Sequence, residues 1–247
     1  MIHQSIFITG TDTGIGKTTM TAALLLALQQ QGESVGVLKP IETGLDEQNP
    51  QRSDTERLRS CLFPPPLFKE VCLYAFSQPL APLAAARKQG VTIDPSRIRS
   101  HVTTFAQQYS FLIVEGAGGI FTPIAPQYTM RDLLKFLNLP CLIVAHTNLG
   151  GVNHSLLTIE ALQQVGIKIH GILVNEHQAP NKTAFSQEQR ESTMTLIREG
   201  SSAPIFGPIP FTQKIERSWR EGVKILSENS EIQRLAKHLI EKEPEID

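Results

Sequence analysis

The sequence predicts an α/β protein in which a mostly parallel central sheet is covered by helices on both faces. Three observations lead there. Short β-branched runs alternate with longer helical patterns, which is the rhythm of βαβ units. The strand candidates are near-continuous apolar runs, as a doubly covered strand requires. A chain of 247 residues suits one large core, since length over about 150 is a soft guide to domain number. With no convincing boundary and no repeat, one domain is expected across residues 1–247.

Residues 5–9 read as the first buried strand. Residues 17–31, rich in Ala and Leu, form a helix, and Gly32 sits where a left-handed C-cap belongs. A second strand spans residues 34–38. Residues 48–78 are less regular, because Pro64, Pro65 and Pro66 break any helix, and they read as an excursion at one edge of the sheet. Further strands fall at residues 111–115, 141–145, 169–175 and 204–209, and helices at 130–137, 152–165, 187–199 and 231–241. The acidic end, residues 241–247, reads as a solvated tail.

Composition removes several function classes. Lys and Arg total 23 against 24 for Asp and Glu, a net charge of -1, so no basic excess exists for a nucleic-acid backbone or an acidic membrane. The chain is 40% hydrophobic and 19% charged with a mean hydropathy of -0.10. That is too apolar for disorder, and it contains no run of about 18 apolar residues to span a membrane. Cys61, Cys72 and Cys141 are odd in number and lack CxxC spacing, so reduced thiols are expected rather than a disulfide framework or a zinc site. Residues 1–4 carry no basic stretch ahead of an apolar signal core, and a cytosolic protein is expected.

The strongest local signal is Gly10-Thr11-Asp12-Thr13-Gly14-Ile15-Gly16-Lys17-Thr18-Thr19, set between the first strand and the first helix. That is the context of a P-loop. Glycines let backbone N–H groups turn toward phosphate oxygens and the helix start adds partial positive charge. Lys17 can reach the outer phosphates, and the Thr18 hydroxyl can bind magnesium. The spacing is a variant, with Thr11 where the first glycine usually stands. A P-loop specifies a nucleotide and not a reaction, so polar residues at other strand ends must decide.

Three places stand out. Lys39, Pro40, Ile41, Glu42, Thr43 and Gly44 end the second strand, where ligands gather in open α/β sheets, so Lys39 can face a bound phosphate. The run Phe111 to Glu115 delivers one carboxylate into the turn Gly116-Ala117-Gly118-Gly119, a Walker-B-like arrangement that suits magnesium. Asp54 is a second candidate oxygen ligand; the same residue also reads as the N-cap of a short helix over residues 55–59. Third, Asn148, Leu149, Gly150, Gly151, Val152, Asn153 and His154 join an apolar strand to a helix, whose free N–H groups suit a carboxylate. His154 reads as a helix-face residue.

Taken together, Gly10 to Thr13 leading into Gly16-Lys17-Thr18, the Lys39-Pro40 pair with Gly44, Ser53-Asp54, Val114 to Gly119, Gly150 with Asn153-His154, and Ile209-Pro210 make the chain resemble the dethiobiotin synthetases over most of its length. Members of that family close a cyclic urea on 7,8-diaminononanoate with carbon dioxide, ATP and magnesium. The resemblance implies Lys39 as the catalytic residue, Thr11, Lys17 and Thr43 on the diamine side, and Thr18, Asp54 and Glu115 as the Mg2+ set. It further implies Gly14, Ile15, Gly16, Lys17, Thr18 and Thr19 around the phosphates with Gly116, Ala117 and Gly118 alongside. Asn175, Glu176, Pro210, Phe211 and Thr212 would lie at the base. Gly150, Gly151, Val152 and Asn153 would receive the substrate carboxylate across a homodimer interface. Thr43 stands where the family often has serine, Gly14 where glutamate is frequent, and Glu176 where aspartate is common.

Two other readings share the motif set. A nucleotide-switch ATPase of the partitioning or septum-positioning kind shares the sheet, but Thr11, Asp12 and Thr13 fill the place of the extra lysine such proteins use, and no basic amphipathic tail is evident. A cobyrinic-acid-type synthetase would need a glutaminase domain, for which the residues after Thr212 leave no room.

Overall fold

Successive side chains of a strand point to opposite faces, so a run that is apolar at every position needs cover on both sides. In the computed structural model, which describes residues 4–176 and 184–241, the central strands receive that cover. Six of them form one sheet: β1 (Gln4–Gly10), β2 (Val35–Leu38), β5 (Phe111–Gly119), β8 (Cys141–His146), β9 (Ile169–Asn175) and β10 (Ile205–Ile209), in the order β10-β9-β8-β1-β5-β2. Every pairing in it is parallel, with Ile6 beside Ile113, Leu38 beside Val114, and Ala145 beside Val174. Two small ladders lie outside it, β3 (Ile41–Thr43) with β4 (Tyr74–Phe76) and β6 (Pro123–Ala125) with β7 (Tyr128–Thr129).

The helices are α1 (Lys17–Gln30), α2 (Asp54–Arg59), α3 (Phe68–Val71), α4 (Pro82–Lys88), α5 (Pro95–Ala106), α6 (Met130–Leu137), α7 (Gly151–Gln163), α8 (Ala184–Glu199), α9 (Lys214–Arg217), α10 (Trp219–Ser227) and α11 (Ser230–Ile240). Ile6, Ile8, Ile113, Leu142 and Val144 face a core closed by α1, α10 and α11, whereas Phe7, Leu112, Val114, Ile143 and Val174 face a second core closed by α5, α6 and α7. Helix α1 is apolar nearly all round because it lies between the sheet and the outer pair α10 and α11. Each fully buried Leu or Ile in these layers contributes about 1.5–3 kcal/mol.

The α/β class and the six central strands are as the sequence predicts. Gly32 follows α1 at φ +93°, and the N–H groups of Gly32 and Glu33 close on the carbonyls of Gln29 and Leu28, the two bonds of a Schellman end. Other expectations are corrected. Ser53, not Asp54, caps α2: its hydroxyl accepts from the Glu56 N–H at 3.1 Å, and Asp54 is already the first helical residue. The stretch 48–78 holds α2, α3 and β4 rather than irregular chain alone. Helices α4, α5, α9 and α10 fall where none was predicted, α8 begins at Ala184 rather than 187, and β5 runs on to Gly119. The acidic tail expected at 241–247 lies, after Glu241, outside the described residues. No helix among the described residues is long and apolar enough to cross a membrane.

Candidate active site

The chain turns out of β1 at Gly10 and enters α1 at Lys17, and the turn closes only because Gly16, the N-cap, adopts φ +88° without side-chain strain. Lys17 folds back so that its Nζ donates to the Asp12 carbonyl at 2.9 Å. Burial and the neighbouring Lys39 lower the Lys17 ammonium to about 8, leaving a cation that gains from any phosphate brought to it. Asn175 at the end of β9 donates from Nδ2 to the Ile15 carbonyl at 2.8 Å and braces the loop. Ile15 itself is a core side chain.

Behind the loop stands a buried polar cluster. Lys39 Nζ donates to Glu115 Oε1 at 2.6 Å and pairs with Asp54 Oδ2 at 3.0 Å. The Thr18 hydroxyl donates to the same Glu115 oxygen at 2.7 Å. Burial alone would neutralise Lys39, but the carboxylates of Glu115 and Asp54 outweigh it and hold the ammonium charged above the usual lysine value. Burial likewise works against the Asp54 carboxylate, and Lys39 more than offsets it and holds that group below its usual range. Glu115 is fully buried, and its Oε2 has no hydrogen-bond partner among the described residues. An orphaned carboxylate oxygen beside a hydroxyl and a second carboxylate is the oxygen chemistry of a magnesium ligand set.

Lys17, Thr18, Lys39 and Asp54 border a cavity of about 390 Å³, and Glu115, fully buried, stands behind them without lining it. Gly14, Gly16, Lys17, Thr18 and Thr19 form one end of its lining, and Lys39, Thr43 and Asp54 its flank. Ala117 and Gly118 continue the wall, while Asn175, Glu176, Pro210, Phe211 and Thr212 complete the lining from β9 and β10. Glu176 is ion-paired with Arg190 of α8. Gly116 is set back from the cavity, its Cα so close to the Phe7 ring that a Cβ would come within 2.8 Å of it.

The predicted residues are not all in one place. Thr11 lines a second cavity of about 580 Å³ with Thr122 and His154; the two cavities share Thr13. The hydroxyl of Thr11 and Nδ1 of His154 are buried without hydrogen-bond partners among the described residues. Gly150 caps α7, Gly151 is pressed against the His146 carbonyl, and neither they nor Val152 nor Asn153 borders the phosphate-loop cavity. Two charged lining residues were given no role by the sequence reading. Glu42 is 5% exposed, and burial raises its carboxyl above the usual range; the available signal was a charge alternating with Ile41 just beyond an apolar strand. Arg57 stacks over Trp219 at 5.0 Å, and Trp219 Nε1 donates to the Arg57 carbonyl at 3.1 Å, which ties α2 to α10.

A family model described as an AAA domain matches residues 4–218. An ATP-dependent dethiobiotin synthetase of Methanococcus vannielii is 37% identical over 202 residues, 82% of this chain and 91% of its own length. One from Bacillus licheniformis is 41% identical over 172 residues, 70% of this chain and 73% of its own. The chain belongs to the ATP-dependent dethiobiotin synthetase family. A family member from Bacillus subtilis strain 168 is 33% identical over 207 residues, 84% of this chain and 87% of its own. Among solved structures, the MinD cell division protein of Aquifex aeolicus superposes with a TM-score of 0.59 at 19% identity, covering 98% of each chain. A ParA family ATPase from Chlorobium tepidum reaches 0.55 at 18%, covering 96% of this chain and 97% of its own. At such identities these show the P-loop sheet that synthetase and switch ATPase share, so the family assignment decides between the two readings.

Proposed function

We propose that this protein closes the cyclic urea of dethiobiotin on 7,8-diaminononanoate, consuming carbon dioxide and ATP and releasing ADP and phosphate. Beside the family membership, the observation that supports this reading most directly is the pair of buried ammonium groups, Lys17 and Lys39, meeting at the phosphate-loop end of one cavity.

One substrate amine adds to carbon dioxide and loses a proton to become a carbamate. A carbamate oxygen then takes the γ-phosphoryl group and ADP leaves. The second amine attacks the carbonyl carbon of that mixed anhydride, the bond to the phosphate oxygen breaks, and the ring closes. Negative charge collects on phosphoryl and carbamate oxygens throughout, so the chain's task is positioning and fixed positive charge. Lys39, held by Glu115 and Asp54 just beyond the end of β2, is the catalytic residue facing those oxygens. Lys17 and the N–H groups of the loop hold the nucleotide phosphates. Thr11 and Thr43 line the diamine side. Thr18, Asp54 and Glu115 would hold Mg2+, whose charge when bound neutralises phosphate oxygens. One hydroxyl and two carboxylates are fewer oxygens than such an ion takes, and nucleotide oxygens and water would supply the others.

The unit at work is one α/β domain acting as a homodimer in the cytoplasm. Gly150 to Asn153 stand apart from their own chain's phosphate-loop cavity while the neighbouring Leu149 and Leu157 are 92% and 59% exposed. That supports a second copy supplying the carboxylate end of the diamine site. The test is incubation with ATP, Mg2+, bicarbonate and 7,8-diaminononanoate, read by mass spectrometry for the cyclic urea. ATP hydrolysis equally fast without the diamine would overturn the reading.

A further inference from the structure

Glu42 on β3 is nearly inaccessible, at 5% exposure, yet its hydrogen bonds are not to a side chain of opposite charge. Its two oxygens go instead to consecutive backbone N–H groups. Asp54 N donates to Oε1 at 2.6 Å and Thr55 N to Oε2 at 3.0 Å. The next N–H of that turn, Glu56, goes to the Ser53 hydroxyl. Helix α2 has six residues, far too few to hold its own shape, and it is reached through the loop that leaves β3. The carboxylate of Glu42 therefore joins the start of α2 to the strand beside Lys39, and the residue so gripped is Asp54, whose side chain meets Lys39 at 3.0 Å.

We propose that Glu42 is a positioning residue: by holding the Asp54 and Thr55 N–H groups it fixes where the Asp54 carboxylate stands, and thereby sets the affinity of the nucleotide complex for a divalent cation. This rests on the assignment of Asp54 to the cation. The bidentate grip is needed because Asp54 is 38% exposed at its side chain, so a free α2 start would let it turn from Lys39 to water.

The test is calorimetric binding of the non-hydrolysable β,γ-imido analogue of ATP, first in EDTA and then with rising Mg2+, for the wild type, Glu42→Gln, Glu42→Asp and Asp54→Asn. Glu42→Gln presents an amide to one N–H group, and Glu42→Asp keeps the charge but draws the oxygens back by one methylene, so either suffices if the other does not fold. The expected result is affinity in EDTA within about twofold of wild type, with the half-saturating Mg2+ raised roughly ten- to hundredfold in the Glu42 variants, the scale of losing one charged hydrogen bond. Unchanged Mg2+ dependence in the Glu42 variants while Asp54→Asn is impaired would overturn the positioning role alone. So would equal weakening with and without Mg2+, which marks a merely structural part. A wild type whose affinity ignores Mg2+ would remove the cation assignment and the proposal with it.

Discussion

Lys17 and Lys39 are both buried lysines within one cluster, and their environments push them in opposite directions. Lys17 has only a carbonyl and distant carboxylates, so its ammonium sits at about 8; Lys39 has Glu115 and Asp54 in contact and stays charged. Substituting Lys17 with Ala removes a charged phosphate contact and should weaken ADP binding roughly 10- to 100-fold. Lys39→Ala should leave ADP affinity within a few fold and lower kcat by about 10²–10³. Calorimetry and steady-state rates separate the two; equal loss of nucleotide affinity would contradict the division. Lys17 also carries a pH signature in the nucleotide-free protein. The unfolded chain keeps this proton up to about 10.5 and the folded chain up to about 8, so between those values the unfolded state binds more protons and stability rises with pH. Compared with Lys17→Met, the wild type should gain about 3 kcal/mol across that window, measured by denaturant unfolding at several pH values. At this scale the sequence was informative where spacing carries chemistry: Lys17, Thr18, Lys39 and Glu115 follow strands in order. The grip of Glu42 on α2 was silent because a bond from a side chain to a backbone N–H twelve residues away leaves no pattern in the residues between.

Helix ends show which local signals survive folding. The glycines at the two ends of α1 both have positive φ, near 90°, but their surroundings differ. Around Gly32 the direction a methyl group would take is open space, with nothing within 4 Å of it. Gly32→Ala should therefore cost only the left-handed backbone, about 1–2 kcal/mol, a few degrees in Tm, with activity retained. Gly16→Ala strains the turn that aims N–H groups into the cavity and should abolish tight ADP binding as well as lowering Tm. Thermal scans paired with ADP titrations check both. The six central strands were legible because each holds a near-continuous apolar run. Helix α5 was passed over although Asp94 caps it and Pro95 opens it, because only Ile98, Val102 and Phe105 face the core and the rest is polar. The N-cap of α2 was misassigned by one residue since Ser53 and Asp54 are both good caps, and only the structure shows that the hydroxyl takes the N–H while the carboxylate turns to Lys39.

Across the whole molecule, cluster and sheet are one cooperative object, because Thr18, Lys39, Glu115 and Asn175 come from α1, the end of β2, the middle of β5 and the end of β9. Nucleotide should therefore stabilise the entire fold. ADP with Mg2+ at a hundred times its Kd should add about 2.7 kcal/mol, several degrees by calorimetric scan, and the same concentration should add only about 0.4–1.4 kcal/mol to Lys17→Ala. The layered architecture was readable from the alternation of apolar runs and helical patterns; the division of the diamine-side residues between a second cavity and a helix start apart from the loop was not, because distance between loops is set by strand order rather than by spacing along the chain. That strand order has a practical corollary. All chemistry-bearing loops leave the carboxyl ends of the strands, so the opposite rim, where Asn138 ends α6 and Gly166 follows α7 ahead of β9, faces away from nucleotide and substrate. A fluorophore or a surface tether attached through Lys168→Cys, an exposed position between Gly166 and β9, would hang the molecule by its underside, with the working face open to solution, which is the orientation an immobilised biosensor or a flow reactor requires.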